Sequence, residues 1–145
     1  MILGPLFAAE LPDESIHSIG DVERAARTGV ISYVKLKLKK FGTLELLKQA
    51  LLRITELGMR PVLGNGAGTD LSCWQEASVA RLTLDNAGEM NGFLKTRARI
   101  FKNPLPFVAG AIELLGGYSP VLDERVIEQH TERGAQVPAG LISPA

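Results

Sequence analysis

The stretch YVKLKLKKFG, residues 33–42, decides how this chain is read. Val34, Leu36 and Leu38 alternate with Lys35, Lys37 and Lys39. Successive side chains of a β-strand point to opposite faces, so an extended segment here carries an aliphatic face and an ammonium face. Two readings are open. In one, the strand is half exposed and its lysines are solvated. In the other, the strand belongs to a closed barrel of parallel strands: the aliphatics pack under helices and the lysines point inward. A buried ammonium is costly unless it is paired, so the second reading requires carboxylates from neighbouring strands. A lysine held between desolvation and acidic neighbours is suited to general acid–base work.

The flanking sequence favours parallel strands. A short apolar strand is expected within Ile2 to Leu11, followed by DESIHSIGDVERAARTG, where Ser18 and Asp21 have capping-box spacing. Val22, Ala25 and Ala26 form a small apolar stripe, and Gly29 is placed to stop the helix. Val30 to Leu38 reads as the second strand. In TLELLKQALLRITELG, Leu44, Leu47, Leu51 and Ile54 share a helical face, Thr43 can cap the start and Gly58 can end it. MRPVLG reads as a third strand, a helix follows from about Thr69 to Leu82, and a weaker fourth strand is expected in or before LDNAGEM. Strand–helix alternation of this kind makes βαβ units with helical crossovers. No GxGxxG or Walker pattern opens any helix, so nothing in the sequence points to a nucleotide. KNPLPFVAGAIELLGGYSP looks like loop with one short strand, and VLDERVIEQHTERG like a terminal helix.

Chemistry in α/β folds gathers just past the carboxyl ends of parallel strands. In order, those positions hold Asp13 and Glu14, then Lys37 and Lys39, then Asn65 and Asp70, then Glu89 and Asn91. Acid, base, amide and acid thus stand at successive strand ends. Other residues have plainer explanations. His17 and His130 suit solvent or capping positions, Cys73 beside Trp74 suits buried packing, and Thr69 and Asp70 suit a helix cap.

Composition narrows the classes of partner. The 145 residues suit one domain, 46% are hydrophobic and 22% charged, as for a packed globular chain. Sixteen basic residues balance sixteen acidic ones, and aromatic residues make up only 6%, so no nucleic-acid partner is expected. No apolar run is long enough to span a bilayer, and no membrane partner is expected. The apolar start lacks the basic region of a signal peptide. One cysteine cannot form an internal disulfide, which fits a reducing, cytoplasmic setting.

Taken together, PDESI, VKLKLKKFGT, GMRPVLGNG and NAGEMNG, in that order, resemble the C-terminal half of the barrel in the enolase superfamily, within its muconate-lactonising and mandelate-racemase-like group. The resemblance runs from about Leu6 to His130. It implies an α/β fold: a partial (β/α) TIM-type barrel of about four parallel strands with helices over residues 1–103. Residues 104–133 would be a return segment packing on a capping domain, and 134–145 a mobile tail. It further implies proton abstraction from the carbon alpha to a carboxylate, with Mg2+ stabilising the enolate. Position by position, Asp13 matches a magnesium ligand, with Glu14 as an added metal candidate. Lys37 matches the acid/base lysine, with Lys40 as the second lysine of that pattern. Glu89, Asn65 and Lys39 fall near a small carboxylate substrate. Thr43 stands where the family has a second glycine, and no histidine ends the seventh strand, which leaves a lysine-based racemase or epimerase, cycloisomerase or dehydratase.

The sequence has no counterpart for the family's other two metal carboxylates. Weak metal binding and little turnover are therefore expected of this chain alone. The alternative is a catalytically incompetent truncated half-barrel that self-associates or complements a missing half, and a homo-oligomer closing the half-barrel is one form of it.

Overall fold

The structure, a computed structural model, describes residues 9–10, 15–64 and 67–131. Three parallel strands, β1 (Ala9–Glu10), β2 (Ile31–Leu36) and β3 (Arg60–Leu63), form one sheet in that order. Helix α1 (Ile19–Arg27) crosses from β1 to β2, and α2 (Leu38–Phe41) with α3 (Leu44–Glu56) crosses from β2 to β3. Helix α4 (Asp70–Thr83) follows β3. The fold is a partial barrel of parallel strands, as expected, and the sheet does not close among the described residues.

The helix boundaries follow the local chemistry. Ser18 accepts the Asp21 N–H at the start of α1, Thr43 accepts the Leu46 N–H at the start of α3, and Thr69 accepts the Ser72 N–H at the start of α4. The α1 and α3 segments end at Gly29 and Gly58, both at positive φ. Val34 and Leu36 of β2 and Leu63 of β3 are fully buried against Val22 of α1 and Leu47, Leu51 and Ile54 of α3. Burying such side chains stabilises the layer by roughly 1.5–3 kcal/mol each before chain entropy is counted. Tyr33, Lys35, Arg60 and Val62 face the other way and are half-buried or exposed. The alternation read in residues 33–38 is therefore real, with the aliphatics on the helix side.

Three details differ from expectation. Strand β2 stops at Leu36 instead of Leu38, and the chain enters α2 at Leu38, so Lys39 lies on an exposed helical turn and not on the strand face. The fourth strand is reduced to a single parallel bridge between Gly64 and Glu89, closed by the Glu89 N–H to the Leu63 carbonyl at 2.9 Å. The Pro- and Gly-rich segment holds two short strands, not one: β4 (Phe107–Val108) and β5 (Ala111–Ile112) form an antiparallel hairpin. Ala109 and Gly110 at its tip both have positive φ, as a two-residue turn of type I′ requires. Alanine seldom fills that position, which hid the hairpin from the sequence.

Residues 92–131 fold back, and this return chain packs on the amino-terminal half of α4. Cys73, Phe93 and Leu105 are buried together, joined by Trp74, Phe107, Ile112, Leu114 and Tyr118. Phe93 meets Phe107 edge to face, as Trp74 meets Phe101. Helix α5 (Glu124–His130) begins on Asp123, which accepts the Arg125 and Val126 N–H groups, and buries none of its residues. No helix among the described residues is long and apolar enough to cross a membrane.

Candidate functional site

The candidate site lies at the carboxyl ends of β2 and β3, on the sheet face turned away from the helices. Lys35 occupies that face opposite Val62. Its side chain runs across Gly64, and its Nζ lies 2.6 Å from Oε2 of Glu89. Gly64 is what permits this path: a Cβ there would stand 2.3 Å from Cε of Lys35. The pair is lopsided. The Lys35 side chain is 15% exposed, whereas that of Glu89 is 63% exposed. The ammonium is thus held beneath a carboxylate that faces outward.

Lys37 follows two residues later. Its backbone is still extended, at φ −135° and ψ 135°, so it continues the alternation onto the face of Lys35. It is half-buried and stands at the N-cap of α2, without a side-chain capping bond. The lysine face therefore ends where the strand ends. Lys40, the other lysine of the expected pattern, is half-buried on α2.

Lysine and acid from separate strand ends do meet here. The lysine paired with Glu89 is Lys35, one of the three alternating lysines and not the one that the family pattern marks. Its signal was available in the glycine at 64, since a side chain can cross a neighbouring strand only where that strand has no Cβ in the way. Asp13, Glu14 and Asn65 lie outside the described residues. Asp70 is not a rim group. It is 1% exposed and accepts the N–H groups of Leu71, Ile100 and Phe101. His17 and His130 are exposed, and Cys73 is fully buried, as expected. Burial raises the Cys73 thiol above its ordinary range, and the nearby carboxylates of Glu76 and Asp70 add to this.

Among the described residues, no group of three or more His, Cys, Asp or Glu side chains gathers as a metal site. The carboxylate of Glu89 is engaged by Lys35. The described residues therefore do not by themselves make the oxygen cage that magnesium prefers.

Solved structures with the same arrangement have been found. The muconate lactonizing enzyme from Pseudomonas putida superposes with a TM-score of 0.71 at 23% identity, over 81% of this chain and 34% of its own. This chain has the fold of the C-terminal part of a muconate-lactonizing-type barrel. A mandelate racemase/muconate lactonizing protein from Herpetosiphon aurantiacus matches with a TM-score of 0.70 at 25% identity, over 81% of this chain and 34% of that one. An N-succinyl Arg/Lys racemase from Bacillus cereus matches with a TM-score of 0.71 at 18% identity, over 81% and 32%. The chain thus spans about a third of the length of each structure it matches. The mandelate-racemase and muconate-lactonizing resemblance read from residues 12–92 is borne out at the level of fold. No protein-family model matches the sequence, and no curated protein does.

Proposed function

We propose that this chain is the C-terminal barrel portion of an enolase-superfamily enzyme that abstracts a proton alpha to a carboxylate, with Lys37 as the acid/base residue. The observation that carries the proposal is the meeting of a lysine strand and an acid at parallel strand ends, with Glu89 reaching Lys35 across Gly64. The three-dimensional match to a muconate lactonizing enzyme and to a racemase supports it.

In this reading the chain's own groups divide the work. Lys37 exchanges the proton at the substrate carbon. Lys35 keeps the carboxylate of Glu89 in a fixed place, where its outward oxygen accepts a hydrogen bond from the substrate. Neutralising Glu89 also lessens its repulsion of an anionic substrate. Asn65 completes the substrate contacts, and Lys39, on the exposed turn of α2, takes no part in them. Magnesium, when bound by Asp13 with Glu14, would stabilise the charge developing on the substrate carboxylate. A small carboxylate undergoing racemisation, epimerisation, cycloisomerisation or dehydration is the substrate class, and the cytoplasm is the proposed setting.

The test is hydrogen exchange at the carbon alpha of a panel of small carboxylates in deuterated water with magnesium, followed by NMR. Lys37→Met is expected to lower exchange by about two to four orders of magnitude. Measurable exchange at the same rate with and without Lys37 overturns the proposal, and no exchange in either favours the incompetent half-barrel.

A second reading, self-association into a closed ring, is favoured by the open sheet, whose lysine-bearing face carries the half-buried Tyr33 and Val62. Sedimentation equilibrium separates the two, since a monomer at high concentration removes the second.

A further inference from the structure

Helix α4 carries a buried stripe of an unusual kind. Asp70, Cys73 and Glu76 follow one another at intervals of three along its inner side, and all three are buried. Inner helical positions normally take aliphatic residues, because a buried carboxylate is costly without specific hydrogen bonds. Each of these groups meets a different loop. Asp70 takes the Ile100 and Phe101 N–H groups of the return chain. Cys73 lies against the backbone of Gly92 and Phe93, just past the Glu89 bridge. Glu76, 1% exposed, reaches the end of the lysine strand, where its Oε1 accepts the Leu38 N–H at 2.9 Å.

The Leu38 bond falls at a sensitive point. Leu38 is the first residue of α2, and its N–H is among those that a helix start leaves without an internal partner. Lys37, at the N-cap, makes no side-chain capping bond. A carboxylate from another helix, 38 residues away in sequence, therefore ties down the peptide immediately after Lys37. That tie lies just past the end of β2 at Leu36, on the peptide next to the Cα from which the Lys37 side chain departs. A displacement of about 1 Å at a reacting group lowers rates by about a hundredfold, so the tie matters to any chemistry Lys37 performs.

We propose that Glu76 is a positioning residue for Lys37, acting through the Leu38 N–H. Its functional meaning rests on the reading of Lys37 as the acid/base group, but its test reads the surroundings of the lysine and not turnover. The full chain is reductively methylated with 13C-formaldehyde, and the Lys37 dimethylamine resonance is assigned by its loss in Lys37→Arg. Two variants break the same bond from opposite ends. Glu76→Leu removes the acceptor. Leu38→Pro removes the donor without changing any charge, at a first helical position that suits proline and after an extended residue that tolerates it.

Both variants are expected to move the Lys37 resonance, with that of Lys48 on α3 unmoved. The double variant is expected to match the single ones, as for two ends of one interaction. Glu76→Gln, which keeps an oxygen acceptor, is expected to restore the line of the parent protein. A Lys37 resonance that stays in place in Leu38→Pro overturns the proposal, and this variant decides alone if Glu76→Leu does not fold. If carbon-alpha exchange proves independent of Lys37 while its resonance moves, the catalytic reading falls and the positioning stands. If exchange depends on Lys37 while its resonance ignores Leu38→Pro, the positioning falls alone.

Discussion

The α/β layer, residues 15–83, and the return chain, residues 92–131, are held together by different balances of apolar burial and directed bonds. In the layer, Val22, Val34, Leu36, Leu47, Leu51, Ile54 and Leu63 lose all contact with water. That force has no direction and scales with apolar area. In the return chain, α5 buries nothing and Leu115 is 71% exposed. It has only a small apolar cluster around Phe93, Phe101 and Leu105, and directed bonds supply the rest. The Asn103 side chain accepts the Val121 N–H and donates to the Ser119 carbonyl, the Tyr118 hydroxyl donates to the Asn103 carbonyl, and Asp70 grips residues 100 and 101. The layer shapes the site, and the return chain is pinned to it at a few named atoms.

The contrast is sharpest under core truncation. Leu51→Ala is expected to destabilise the whole chain by about 2–5 kcal/mol, seen as a shift of the urea midpoint. A loss under about 1 kcal/mol would mean that apolar burial does not hold the layer. Next comes Asp70→Ala, which leaves the part-buried Ile100 and the buried Phe101 N–H groups without their acceptor, at a local cost of about 1–3 kcal/mol. Amide exchange is expected to accelerate at Ile100 and Phe101 while α3 keeps its protection. Equal acceleration in α3 would merge the two regions into one cooperative unit. Asn103→Ala is expected to cost about 1 kcal/mol and to speed exchange at Val121 only. The smallest effect concerns Cys73, which sits between the two regions. Its folded pKa is raised, so the folded thiol holds its proton longer than the unfolded one as pH rises. The stability it contributes is complete below the ordinary cysteine range and declines as pH climbs through and above it. Iodoacetamide at pH 8 is expected to label native protein far more slowly than urea-unfolded protein. Equal rates would show that the seam is open.

Much of the layer was legible in the sequence because its signals are local. Ser18, Thr43 and Thr69 cap helices within three residues, and the alternation of residues 33–36 sorts itself by face. The point at which β2 ends was not legible, since the alternation runs on through Lys39. Just past its end the Leu38 N–H is taken by Glu76, a residue on another helix. The Lys35–Glu89 pair spans 54 positions and depends on the bare Cα of Gly64. The β4–β5 hairpin turns on an alanine at φ 50°, which no turn preference announces. Long-range polar contacts carry no periodicity, and they are what sequence reading missed.

The bare Cα at position 64 has a consequence for how such a site changes over evolutionary time. The butyl tether of Lys35 lies in a trench only as deep as one absent methyl group. Filling that trench by a single substitution would push the ammonium off Glu89 without altering either member of the pair. The reach of one strand's cation can thus be retuned from the strand beside it.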